Sequence, residues 1–144
     1  MKQVVKGLLQ EQKVAVLATH GAGQPYTSLV AFAATDDTRT IFFATDKDTR
    51  KYANIMAESR VAMLTDNRTN QEIDFQKAIA VTSVGRAHAV KSSKERDRLL
   101  TIYLAKYPHL VEFVTSPTCC LVKIEVDTHY IVREFQHVNA LHMR

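Results

Sequence analysis

The chain has 144 residues, 46% apolar and 24% charged, a composition that fits a globular fold with one sizeable buried core. No apolar run approaches the ~20 residues a membrane-spanning helix needs, and Met1–Lys6 lacks the apolar core of a secretion signal, so a single domain over residues 1–144, cytoplasmic and with no membrane partner, is expected. The net charge of +4 is scattered, without basic runs, zinc-finger spacing or an aromatic–glycine RNA-binding motif, which favours small anionic ligands and argues against nucleic acid.

Val4, Val5, Leu8 and Leu9 recur at helical spacing and predict a short amphipathic helix over residues 2–12. Residues 13–20 and 26–34 read as strands, joined through the Gly21-Ala22-Gly23-Gln24-Pro25 turn into a hairpin. The polar turn at residues 35–39 leads to a third, apolar strand over 41–45. Residues 60–66 and 78–90 read as further strands separated by a polar loop, and Gly85 marks a bulge or bend in the second of them. Ser92 or Ser93 caps a helix whose apolar side is Leu99, Leu100, Ile102, Tyr103 and Leu104, and Pro108 interrupts it. A short helical piece over 109–115 follows, then two closing strands over 118–126 and 130–135. About seven short strands with few helices between them favour a closed antiparallel barrel over a doubly wound parallel sheet.

The segment from Asp46 to Ile55 carries the most chemistry. Asp48 or Thr49 caps a helix there, and Tyr52, Ile55 and Met56 share one face. Arg50 and Lys51 fall in its first turn, where a helix already carries partial positive charge, so each cation is unfavourable by roughly 0.3–1 kcal/mol. An anion reverses that sign. A hydroxyl, two cations and unpaired amides at a strand-to-helix junction are the donor set for a phosphate monoester. The alternative is a solvated helix start with both basic side chains turned to water.

Other chemistry is sparse. The histidines at 20, 88, 109, 129, 137 and 142 form no metal-ligand spacing, and no Gly-x-Ser-x-Gly elbow is present, so no metal, acid, base or nucleophile is assigned. Arg68 reads as a solvated loop charge, and Tyr103 and Tyr107 as core or interface residues. Adjacent Cys119 and Cys120 point to opposite faces of a strand and read as reduced packing residues.

In order and spacing, four stretches resemble the FMN-binding split-barrel family typified by pyridoxamine 5′-phosphate oxidase: residues 17–25, residues 26–32, Phe42–Thr45 with Thr49-Arg50-Lys51 and Asn54-Ile55, and residues 60–64 with the strand around Gly85. The resemblance covers residues 4–135 and implies a mainly β fold, a split antiparallel β-barrel with peripheral helices. It also implies a homodimer with FMN at the subunit interface. Arg50 and Lys51, assisted by Thr49, would hold the phosphate; Thr27, Ser28, Leu29 and Val30 would run along the ring edge; Ala44 and Thr45 would lie beside the ribityl chain. The expected function is an FMN-dependent oxidoreductase acting on a small molecule or redox partner. The alternatives are a non-catalytic flavin carrier and a haem- or deazaflavin-binding barrel. The C-terminal residues lack the Arg-x-His pattern of the vitamin oxidase, and position 80 is Ala where that enzyme has a polar residue, so vitamin B6 oxidation is not implied.

Overall fold

In the computed structural model, which describes residues 1–144, helix α1 (Lys2–Glu11) precedes a hairpin of β1 (Val14–Gly21) and β2 (Gln24–Ala34). The hairpin turn has only Ala22 and Gly23, both at positive φ (51° and 82°), the twist that matches a right-handed strand pair. Strand β3 (Thr40–Asp46), helix α2 (Arg50–Ala57), strand β4 (Arg60–Asp66), a one-turn helix α3 (Asp74–Lys77) and strand β5 (Ile79–Ala89) follow. Helix α4 (Ser93–Lys106), a 3₁₀ turn at Pro108–Leu110 and helix α5 (Val111–Thr115) lead to β6 (Cys119–Arg133) and β7 (His137–His142).

All pairings are antiparallel, in the order β3-β2-β1-β4-β5-β6-β7, and β3 also pairs with β6. That extra ladder closes β1–β6 into a six-stranded barrel. The long β6 serves two neighbours along one edge: Cys119–Glu125 pair with β3, and Thr128–Arg133 pair with β7. This is the split barrel expected from the sequence.

Two points of the sequence reading change. The two closing strands are one continuous strand, because Thr128 and His129 are buried in the sheet instead of forming a turn. The ladder passes from Val84↔Thr128 to Gly85↔Val126, leaving Asp127 as the extra residue of a bulge. A Cβ on Gly85 would lie 2.1 Å from the Glu125 carbonyl oxygen, so the close approach there requires glycine. The second change is β7, which occupies residues given no structure above, together with the short helix α3.

Alternation divides the apolar residues between two cores. Ile41 and Phe43 join Leu17, Phe32, Met63, Val81, Ile124 and Ile131 in the main cluster, which α1 joins with Val5, Leu8 and Leu9 and α2 with Ile55. Phe42, on the opposite face of β3, packs under Leu99, Tyr103 and Val114 in a second core beneath α4 and α5. Each fully buried side chain of this size contributes about 1.5–3 kcal/mol.

Three side chains fix α4 on the barrel. The Tyr103 hydroxyl donates to the Ala31 carbonyl at 2.9 Å. The Tyr107 hydroxyl lies 2.6 Å from both the Lys13 and Phe32 carbonyls and accepts from the Phe32 amide. Lys106 donates to the Leu9 and Gln12 carbonyls at 3.0 and 2.6 Å, and its ammonium sits 4.1 Å above the Phe32 ring. Burial lowers the Lys106 pKa to about 8 and raises that of Tyr103 to about 12.

Candidate functional site

The strand-to-helix junction after β3 is held by its own hydroxyls. Thr49, in extended conformation, caps α2: its Oγ1 accepts from the Tyr52 amide at 3.3 Å and donates to the Asp46 carbonyl at 2.9 Å. Thr45 Oγ1 lies 3.3 Å from Thr49 Oγ1, which ties the last turn of the strand to the cap. The amides of Arg50 and Lys51 make no hydrogen bond, as the first amides of a helix must unless a ligand or water meets them. Neither cation has a carboxylate partner; the exposed Arg50 guanidinium lies 5.6 Å from the Tyr26 ring centroid.

Helix α2 is anchored by a residue that the sequence reading did not single out for a role. Asn54 is buried and donates to Thr19 Oγ1 of β1 at 3.0 Å. Its Oδ1 occupies the space above Gly21, where a Cβ would come within 2.5 Å. The pair sets the height of the α2 N-terminus relative to the hairpin. Glycine just before a turn was the available signal, but its partner lies far along the chain.

Beside the junction a cavity of about 390 Å³ opens on the outer face of β2 and β3. Leu29, Val30, Ala44, Thr45, Thr49 and Lys51 line it, six of the nine residues expected at a cofactor site. Tyr103, Leu110 and Phe113, from the α4–α5 region, form its far wall. Arg50 lines a separate depression of about 420 Å³ with Lys47 and Asp48, and Thr49 is the shared wall between the two. Thr27 is exposed and lines neither; Ser28 also lines neither, and its hydroxyl is buried without a partner.

The open edge of β2 adds backbone groups. Pairing with β3 begins only at Phe32, so Gln24–Ala31 has no strand on that side. The hairpin register directs the even-numbered residues of β2 toward β1, leaving the amides and carbonyls of Thr27, Leu29 and Ala31 on the open side. The Ala31 carbonyl is taken by Tyr103, while those of Thr27 and Leu29 stay free. Leu29 is 70% exposed at the cavity mouth, an apolar face available to a flat ligand.

The donor set suits a phosphate-bearing flat molecule. Lys51 and two unpaired amides supply positive potential at one end, and Leu29, Ala44 and Phe113 supply an apolar wall. Asp46 also lines the cavity, with its carboxylate already accepting from the Asp48 amide at 2.9 Å and the Thr118 hydroxyl at 3.2 Å. No histidine, cysteine or methionine lines it, and the Tyr103 hydroxyl is engaged, so an axial ligand for haem is missing from this lining.

Comparison with solved structures gives the same fold at low identity. Protein Atu2129 of Agrobacterium tumefaciens str. C58, of unknown function, superposes with a TM-score of 0.78 at 23% identity over 90% of this chain and 55% of its own. A heme binding protein from Mycobacterium smegmatis gives 0.84 at 13% identity, over 95% of this chain and 55% of its own. General Stress Protein 26 from Bacillus anthracis str. Sterne gives 0.71 at 21% identity, over 99% and 98%. The chain thus spans about half the length of the first two and nearly all of the third. No curated protein matches it. The sequence pattern described as pyridoxamine 5′-phosphate oxidase matches residues 1–137, and with that match on a closed split barrel the chain belongs to the pyridoxamine 5′-phosphate oxidase family.

Proposed function

We propose that the protein binds FMN and acts as an oxidoreductase on a small molecule, as a homodimer with the flavin at the subunit interface. The observation that carries the reading is the α2 N-terminus: two unpaired amides and the unpaired Lys51 cation stand at the end of an apolar-walled cavity, with the unpaired Arg50 cation in the depression on the other side of Thr49. A phosphate bridging the Thr49 wall would engage Lys51 from one side and Arg50 from the other. The flavin supplies the redox chemistry when bound; the chain binds it, orients it and sets the local charge. Leu29 and Ala44 would cover one part of the ring, and the free backbone groups of Thr27 and Leu29 would meet its polar edge. An open cavity mouth with an exposed Leu29 is what a second subunit would cover.

Mass spectrometry of ligand released from purified protein, with sedimentation of the loaded form, tests this reading. FMN and a dimer are expected. Haem or a deazaflavin as the released ligand, or a monomer that retains flavin, would contradict it. Steady oxidation of NAD(P)H with an added acceptor would separate an enzyme from a carrier.

A further inference from the structure

Positive charge also gathers at the opposite end of α2 from the phosphate corner. A cavity of about 420 Å³ opens there, between the last turn of α2 and the second half of β5. It shares no residue with the cavity beside the α2 N-terminus or with the depression behind Thr49. Arg60 pairs with Arg86 at this end of β4, and Asp66 pairs with Ala80 at the other, roughly 20 Å along the strand.

Arg86 and His88, two apart on one face of β5, line the cavity, as does Lys91 beyond the end of the strand. Every carboxylate nearby is engaged elsewhere. Glu58, the one acid in the lining, accepts from Arg60 Nε at 2.7 Å and from the Arg60 amide at 3.2 Å. Glu95 takes Lys123, the residue opposite His88, at 3.0 Å. Glu125, opposite Arg86 on β6, approaches Lys123 at 3.8 Å and makes no ion pair with Arg86. Arg86 and Lys91 are thus left with no carboxylate partner. The Arg86 guanidinium donates to Ser59 Oγ, a hydroxyl of the same cavity, at 3.3 Å.

Two physical arguments give this cluster a sign and a size. Arg60 and Arg86 face each other across β4 and β5, and like charges directly opposite destabilise a sheet. Glu58 offsets that for Arg60; nothing in the chain offsets it for Arg86. The α2 C-terminus contributes about −0.5 of an elementary charge, against two full positive charges from Arg86 and Lys91, so the cavity favours an anion. Glu58, Glu95 and Glu125 stand around the three basic residues, so an extended polyanion would run onto carboxylates where a compact one would not.

We propose that this cavity binds a compact di- or polyphosphate anion between Arg86 and Lys91, with His88 and Ser59 as further hydrogen-bond partners. The proposal does not depend on the flavin reading. The test is calorimetric titration of the full-length protein with inorganic pyrophosphate, in an Arg50→Ala/Lys51→Ala background that removes the cations of the other corner. Salt is held at about 0.15 M, where loosely held surface charge is screened. One pyrophosphate per chain should bind. Arg86→Gln/Lys91→Gln should weaken it by about ten-fold or more, and Lys91→Gln alone by less, with the melting temperature held because both side chains are exposed. Lys2→Gln/Lys13→Gln, the same charge change at exposed positions outside the cavity, should leave the affinity within about two-fold. No binding, wild-type affinity in Arg86→Gln/Lys91→Gln, or an equal loss in Lys2→Gln/Lys13→Gln would each overturn the proposal. So would a single-stranded DNA that binds more tightly than pyrophosphate through the same two residues, since the surface would then serve a nucleic acid.

Discussion

Thr49 and Asn54 show two ways in which one residue positions this site. Thr49 acts locally, bonding an amide three residues ahead and a carbonyl three residues behind. Asn54 acts at a distance, locking α2 to β1 through Thr19 and filling the space that Gly21 leaves. Gly21→Ala should therefore push the Asn54 side chain from its buried bond and cost about 1–3 kcal/mol, measured by urea denaturation; unchanged stability would show that the side chain has room to move. The cap at Thr49 was legible in the sequence because capping chemistry involves adjacent residues. The role of Asn54 was not, because nothing near it in sequence indicates that a glycine of another element will be its neighbour.

Elements follow the same division. The hairpin, β3, α2 and β4 were legible from apolar alternation and helix caps. Strand β6 was broken too early in the reading because Asp127-Thr128-His129 is polar in sequence, yet His129 is fully buried, bonded to Ser83 Oγ at 2.8 Å and to the Thr38 carbonyl at 2.9 Å. Strand β7 was invisible because its turn is Glu134-Phe135, with no residue that announces positive φ. Glycine substitutions test the element-level account with opposite signs. Gly85→Ala should cost about 3 kcal/mol or more, since a backbone carbonyl 2.1 Å from the new Cβ has no rotamer to escape into. Gly7→Ala, in the body of α1 with nothing within 4 Å of the new Cβ, should raise stability by about 0.5–1 kcal/mol. Thermal melts of the two variants decide it; the same sign for both would show that the local space does not govern the outcome.

At the scale of the molecule, a single chain puts two chemically distinctive regions on different walls: the cationic corner beside β3 and α2, and a cavity of about 570 Å³ beside α3 and the β6–β7 turn, lined by Asp66, Glu72, Asp74, Phe75 and Phe135. The whole-chain charge, spread evenly in sequence, gave no sign of that separation. Closure of the sheet also buries His129 between β5 and the 35–39 turn, where desolvation lowers its pKa below the ordinary 6.5. The unfolded chain then takes up a proton at a higher pH than the folded one, so this group's contribution is fully present above about pH 6.5 and is lost as pH falls. Stability should decline below that point with a slope of up to about 1.4 kcal/mol per pH unit from this residue, and His129→Gln should flatten it. An identical pH profile in the variant would assign the slope to other groups.

The central claim is that the α2 N-terminus, with Thr49, Arg50 and Lys51, exists to hold a phosphate. Comparing the affinity of FMN with that of riboflavin, which lacks only the phosphate, in wild type and in Arg50→Ala/Lys51→Ala tests it most directly by fluorescence titration. The account predicts that FMN binds about 100-fold more tightly than riboflavin, about 2.7 kcal/mol, and that the gap falls below about ten-fold in the double variant. Riboflavin binding as tightly as FMN, or a gap that survives the double substitution, would contradict it.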